Sequence, residues 1–540
     1  MSTDTSTTLP LTIGALIEQR AGSIGAQDFF ICDDERLTYG DANAQSRALA
    51  RALLALGVGR STHVGILMPS SAAYIISWLA ATRIGAVAVP ISTFSTADEL
   101  RWLIRNANVG VLLSASAFRS HDYTATLEKA FPQLATAAPG PLHFAEAPSL
   151  RWVFVAGDAL AWTADRSMTA LEEQANGIDD AFLSTVEAEV APSDRMVIVH
   201  TSGSTSTPKG VIHQHGTLIE HTDNLNQIRG LTAGMKLFSN SPLFWIGGLA
   251  YNVVGTMAAG STLICSASAD SRETLDLIER EQPDMCNGFA QTVAHLVKDP
   301  TFAARDFTSI RLGNLYPIMP DAVRPADPEL RHAMIGMTET GSVCLMSADE
   351  SDLPERYRGS FGKPVPALEA RVVDPETNAD CAVGELGEMW LRGPLLMEGY
   401  YGRERHEVFT PAGWFRGGDL FTVDDDGFYY FKGRRGDMIK TGGANVSPRE
   451  VESALRDVIP EYATLVVGLE DAERGQIVVA VVIAPEGADV DEQDVIARLR
   501  TTLSHYKVPR RIVRLAEAEI PMLSSGKVDG KRLLEVLRGR

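Results

Sequence analysis

The sequence predicts an α/β protein: a large N-terminal domain of layered α/β sheets with a β-rich subdomain over residues 1–435, then a small α+β unit over 436–540. Three observations carry this. Strand-like and helix-like runs alternate up to about Met337, as β-α-β units with parallel sheets do. From Ala367 to Gly433 apolar and polar residues alternate around turn signals, as hairpins do. Beyond Asp437 a new set of short strands and amphipathic helices begins, and 540 residues exceed what a single core organises.

The elements follow in order. Apolar residues recur at helical spacing from Ala42 to Leu56, then THVGILM reads as a strand, SSAAYIISWLAATRIG as a helix and AVAVPI as another strand. The run from Ala72 to Ile91 is the most apolar in the chain. Arg83, Gly85 and Pro90 interrupt it, which suits a buried helix plus strand rather than a membrane span. The theme returns from Glu187 to about Met257, with a buried strand at Val197 to His200, a polar loop, and a helix from Gly216 to Ile228. A further strand-helix alternation extends from Thr262 to about Met337. ALEARVVD, GELGEMWLRG and LFTVDDDGFYYFKG then read as hairpin strands, with Asp426-Gly427 as a turn. The acidic run Asp424, Asp425, Asp426 lacks the ligand spacing and closing Glu of a calcium loop.

In the C-terminal unit, Ser447-Pro448-Arg449-Glu450 reads as a capping box with proline at the first helical position, and the helix stops at Pro460. ATLVVGL and QIVVAVVIA read as strands. Val495, Ile496, Leu499 and Leu503 mark a second amphipathic helix, RRIVRL a last strand, and a short basic helix ends the chain.

Composition narrows the function. Hydrophobic residues make up 45% and charged residues 22%, as in ordinary globular proteins. The 49 Lys+Arg against 69 Asp+Glu leave −20, which argues against a broad nucleic-acid surface and for small partners. Five scattered cysteines form no C-x-x-C pair and read as buried thiols in a reducing compartment. No secretory signal is visible in MSTDTSTTLP, so a cytoplasmic location is expected.

One loop stands out. TSGSTSTPKG, Thr201 to Gly210, leaves the Val197 strand carrying hydroxyls, two glycines and a lysine. Thr201, Ser202, Ser204 and Thr205 can donate hydrogen bonds, Gly203 allows close backbone approach, and Lys209 adds positive charge, a combination suited to polyphosphate. A plain polar surface loop fits the composition equally well. The order is not that of an ordinary P-loop. His213 and His215, as HQH, lack a third ligand at metal spacing.

Four more segments follow: GMTETG (336–341), GWFRGGDL (413–420), GRRGDMIKTGGANVSPREVE (433–452) and SSGKVDGKRL (524–533). In this order, over nearly the whole chain, the five motifs resemble the adenylate-forming (ANL) superfamily. Its members are the acyl-CoA synthetases of the AMP-dependent synthetase and ligase family, peptide-synthetase adenylation domains and firefly luciferase. The resemblance implies an AMP-binding adenylation domain over 1–435 and a mobile C-terminal domain over 436–540. It implies ATP, Mg2+ and coenzyme A as cosubstrates or cofactors, with Mg2+ on Glu339. Thr201 to Thr205 and Lys209 correspond to the β- and γ-phosphate loop, and Thr338 to an α-phosphate contact. Asp419 corresponds to the ribose carboxylate, Arg434 to the ribose and phosphate arginine, and Gly313 and Asn314 to the adenine stretch. Lys527 corresponds to the lysine that stabilises adenylation, and Lys440, Gly442 and Gly443 lie on the face presented to the thiol. Lys527, Thr338 and Glu339 are the implied catalytic residues.

Several positions depart from the family pattern. Ser206 replaces a glycine of the phosphate loop, Ile335 a tyrosine beside the adenine, and Gly417 a threonine before Gly418-Asp419; Tyr316 offers an alternative stacking face. Gly436 takes the hinge position, where glycine adopts either φ sign freely. Trp245 stands where a histidine is usual in the acyl segment SPLFWIGGLAYN, read as a buried indole with Gly247 and Gly248 leaving space beside it. The implied reaction is that of an AMP-forming carboxylic acid:CoA ligase acting on a hydrophobic, fatty or ring-bearing acid. The alternatives are a freestanding adenylation enzyme that loads a carrier protein and a non-catalytic nucleotide- or acyl-binding homologue. The partners are small molecules, without nucleic acid or an integral membrane segment.

Overall fold

The computed structural model describes residues 9–157, 161–175, 177–201, 208–331, 334–347, 352–441, 444–471, 474–485, 487–488, 490–503, 506–523 and 527–540. Two compact units form. The first runs to Leu368 and takes in Gly393–Phe409; the second comprises Glu369–Arg392 and Thr410–Arg540.

The first unit is built on two large sheets. In one, the parallel strands Trp152–Ala156, Val111–Ala115, His63–Leu67, Val87–Pro90 and Arg195–Thr201 lie side by side. Lys209–Gln214 and Gly399–Tyr400 extend that sheet antiparallel at its edge. In the other, Leu312–Gly313, Met285–Asn287, Lys236–Ser239, Thr262–Cys265 and Asp28–Cys32 are parallel, and Glu35–Thr38 closes a hairpin. The helix Ala72–Arg83 packs in one cluster with Val64 and Ile66 of the first sheet and Phe30 and Leu237 of the second. A helix covered on several faces must be apolar nearly all round, which is why this stretch is so hydrophobic. Arg83, at its end, is fully buried because Glu187, Ser46 and Asn43 take its guanidinium. Among the described residues no helix is long and apolar enough to cross a membrane.

The second unit holds a four-stranded antiparallel sheet, Glu369–Val373, Gly387–Arg392, Phe415–Val423 and Tyr429–Arg434, and a five-stranded sheet in which Arg511–Leu515 runs parallel to Gly475–Ile483. The helices Pro448–Val458 and Glu492–Thr502 pack on one face of the second sheet and Gly530–Arg538 on the other. The expected boundary at 435/436 lies inside this unit, where two contacts tie its sheets together: Ser447 Oγ donates to the Lys432 carbonyl, and the Arg449 guanidinium lies 4.6 Å from the Phe431 ring.

The structure corrects several expectations. A strand, Lys209–Gln214, lies between the phosphate-like stretch and the expected helix, which spans His215–Arg229 rather than Gly216–Ile228. Ser447 precedes its helix without capping it; its hydroxyl is turned to the Lys432 carbonyl, to which it donates. After Met285–Asn287 the strand-helix alternation gives way to short 3-10 turns between Ala290 and Leu330. The hairpin turn expected at Asp426-Gly427 is present, and Asp424 Oδ1 accepts from the amides of Asp426 and Phe428 within it.

Candidate active site

The edge of the first sheet gathers the charged groups. Thr201 and Lys209 face each other across the antiparallel pair Arg195–Thr201 and Lys209–Gln214, closing the base of the polar loop. Ser202, Gly203, Ser204, Thr205 and Ser206 lie outside the described residues. The Lys209 ammonium sits 5.1 Å from the centre of the Tyr400 ring. The Tyr400 hydroxyl donates to Glu339 Oε1 at 2.7 Å. A cation from position 209 and a carboxylate from position 339 thus meet on one tyrosine that the sequence reading did not single out. The signal available was the aromatic pair of EGYYG, which periodicity alone does not distinguish from an edge strand.

Thr338 and Glu339 occupy a 3-10 turn, Thr338–Thr340, between the strands Met334–Met337 and Ser342–Met346. The turn is held from three sides. His213 Nε2 donates to the Thr338 carbonyl at 2.6 Å, the Met397 amide to the Glu339 carbonyl at 2.9 Å, and Thr340 Oγ1 to the Ser342 carbonyl at 2.7 Å. Gly341 ends it at φ 69°, a left-handed conformation that glycine adopts without strain. Burial pushes His213 down to about 4, so it is neutral near pH 7 and supplies one N–H without competing for an anion. His215 is spent elsewhere, its Nδ1 accepting from the Ile13 amide. Among the described residues no group of three or more His, Cys, Asp or Glu is placed to hold a metal ion. The half-buried Glu339, a hard carboxylate beside a cation-lined loop base, fits a magnesium ion that takes most of its ligands from phosphate and water.

Other expected residues fall as follows. Gly313 has φ 120° and lies against the Cys286 backbone, where a Cβ would meet the carbonyl at 1.9 Å. Asn314 is occupied: its amide donates to Cys286, Nδ2 to the Gly288 carbonyl, and Oδ1 accepts from the Gly288 amide. The Tyr316 hydroxyl donates to the Arg331 carbonyl at 3.2 Å. Trp245 is half-buried rather than buried, edge-on to Phe244 and Phe289 with ring centres 5.6 Å apart in each case. It precedes a π-helix, Gly247–Val254, a form that often marks functional sites. A Cβ on Gly247 meets nothing within 4 Å, whereas one on Gly248 would strike the Pro242 carbonyl at 2.0 Å. The space beside Trp245 therefore comes from Gly247.

In the second unit Asp419 and Arg434 are opposite each other on adjacent strands, and Arg434 Nε donates to Asp419 Oδ1 at 2.8 Å. Asp419 is buried and Arg434 is exposed. Gly436 sits in an exposed turn with no positive φ and open space about it. Lys440 is exposed on the strand Ile439–Thr441, its amide donating to Gln476 Oε1; Gly442 and Gly443 lie outside the described residues. Lys527 is exposed, its carbonyl accepting from the Leu523 amide.

Residues 17–401 match the model of the AMP-binding enzyme family, and residues 450–527 that of the AMP-binding enzyme C-terminal domain. The medium-chain acyl-CoA ligase ACSF2 of Mus musculus, a mitochondrial protein, is 27% identical over 97% of this chain and 87% of its own. A feruloyl-CoA synthase of an Amycolatopsis species is 29% identical over 91% and 92%. The crystal structure of the anthranilate CoA ligase AuaEII with anthranoyl-AMP covers 98% of both chains with a TM-score of 0.78 at 23% identity, a likeness of fold.

Proposed function

Since the chain belongs to the AMP-binding enzyme family, we propose that it is an AMP-forming carboxylic acid:CoA ligase acting on a hydrophobic, fatty or ring-bearing acid. The acid attacks the α-phosphate of ATP, giving an acyl-adenylate and pyrophosphate; the coenzyme A thiol then attacks the acyl carbon and AMP leaves. The observation that carries this reading is the cluster of Lys209, Thr338 and Glu339 at the base of a hydroxyl-rich loop, gathered from distant parts of the sequence. Lys209 and the loop hydroxyls receive the β- and γ-phosphates, and Thr338 the α-phosphate. Glu339 holds Mg2+, which neutralises phosphate charge when bound. Asp419, oriented by Arg434, accepts the ribose hydroxyls.

Lys527 stabilises the charge that grows on the α-phosphate oxygens, an interaction stronger in the transition state than in the ground state. The 436–540 segment turns about Gly436 between the two steps, withdrawing Lys527 and presenting Lys440 to the thiol. The edge-to-face set Phe244, Trp245 and Phe289 supports an apolar acid, and the medium-chain and feruloyl relatives span fatty and aryl substrates. A cytoplasmic location belongs to the same proposal.

The test is carboxylate-dependent ATP–pyrophosphate exchange over short, long, branched and aromatic acids. Exchange with one acid class, reduced roughly 10²-fold or more in Lys527→Ala, is expected. Absence of exchange with every acid, despite ATP binding, sinks the reading. Formation of a free CoA thioester is expected; transfer only to a carrier protein replaces the acceptor.

A further inference from the structure

We propose that Tyr400 is a positioning residue that holds Lys209 and Glu339 side by side while keeping them from neutralising each other. This rests on the ligase reading. Lys209 and Glu339 carry opposite charges and share one tyrosine; in direct contact they would form an ion pair, and each would be lost to its substrate. Tyr400 separates them with a neutral group that satisfies both. Its ring faces the ammonium at 5.1 Å, an attraction that leaves the positive charge intact. Its hydroxyl donates to Glu339 Oε1 at 2.7 Å, which orients the carboxylate and leaves its negative charge intact.

The backbone fixes this arrangement. Tyr400 pairs with Val211 and Gly399 with Ile212, while the amides of Glu398 and Tyr401 donate to the carbonyls of Ile212 and Gly210. Tyr400 therefore rides on the strand that begins at Lys209. The Met397 amide holds the Glu339 carbonyl from the residues just before that strand, so one short segment, 397–400, acts on both groups. Arg403, 5.8 Å from the ring, adds a second cation. Among the described residues Lys209 forms no carboxylate ion pair, as the spacer role requires.

The two halves of the bridge separate by substitution. Tyr400→Phe keeps the ring and removes the hydroxyl; Tyr400→Leu removes both. Calorimetric titration of the full chain with ATP, with and without Mg2+, gives the readout, and thermal unfolding runs beside it. Tyr400→Phe is expected to reduce the Mg2+-dependent gain in ATP affinity roughly three- to tenfold and leave metal-free ATP binding unchanged. Tyr400→Leu is expected to weaken metal-free ATP binding as well, about threefold. Unchanged affinities in both variants overturn the proposal, as does an equal loss in both conditions that follows a fall in Tm, the mark of a residue that only fills space. Wild-type protein that binds Mg-ATP but lacks acid-dependent exchange sinks the ligase reading and leaves this comparison standing; wild-type protein that binds no Mg-ATP overturns both.

Discussion

Lys209, Thr338 and Glu339 are held by groups from distant parts of the chain: the Tyr400 ring and hydroxyl, and the His213 imidazole. The Tyr400 bridge and the neutral His213 beneath the Thr338 turn come from segments with no motif of their own. Burial holds His200, His213, His215 and His221 down to about 4, against about 6.5 in the unfolded chain. Because the folded values lie below the unfolded one, the unfolded chain binds more protons between these limits. Their contribution is fully present above pH 6.5 and is lost as pH falls toward 4, by about 1.4 kcal/mol per pH unit for each histidine. The urea midpoint should fall steeply from pH 7 to pH 5, and His213→Gln should flatten that slope; an unchanged slope would remove this account. The glycines beside Trp245 divide similarly. Gly248→Ala, pressed against the Pro242 carbonyl, should cost about 1–3 kcal/mol in urea unfolding. Gly247→Ala should leave stability within about 0.5 kcal/mol and slow exchange with the bulkiest acids, since its Cβ enters open space.

At the level of elements, periodicity found the regular pieces and missed those that depend on partners. The helix Ala72–Arg83, the hairpin around Asp426-Gly427 and the C-terminal helices declare themselves in local pattern. The strand Lys209–Gln214 does not, because its mixed polar and apolar residues show no clear period and it is held extended by pairing with Arg195–Thr201 and Gly399–Tyr400. The capping role read into Ser447 failed for the same reason: its hydroxyl is drawn away from the helix amides to donate to the Lys432 carbonyl, which arrives from elsewhere in the chain. Asp424 gives a test at this level. Its carboxylate serves the Asp426 and Phe428 amides and the Tyr430 hydroxyl. Asp424→Ala should therefore destabilise the protein by about 1–3 kcal/mol, and calcium should leave the Tm of wild-type protein unmoved; a calcium-dependent rise would reassign the acidic run.

For the whole molecule, the proposed turning of the 436–540 segment about Gly436 can be put to the test. Gly436 makes no demanding contact in this structure, so its freedom would serve another arrangement. Turning about it requires release of the Ser447 bond to Lys432 and the Arg449 stack on Phe431. Gly436→Pro, which fixes φ near −65°, should slow thioester formation more than adenylation. Ser447→Ala, which removes one restraint, should leave ATP–pyrophosphate exchange within about twofold and change the thioester step more. Equal effects of Gly436→Pro on both half-reactions would remove the hinge.

By itself the sequence determined the fold class, the order of the five motifs and the types of charged group available for phosphate chemistry, because these depend on local pattern and residue identity. Tertiary structure decided which groups meet. Long-range strand pairing sets the edge that carries Lys209 and Tyr400, packing excludes water from His213 and so fixes its protonation, and hydrogen bonds across the fold take Asn314 and Ser447 for scaffolding. None of these is a property of a short stretch of chain: each arises only when distant segments share one solvent-excluded space.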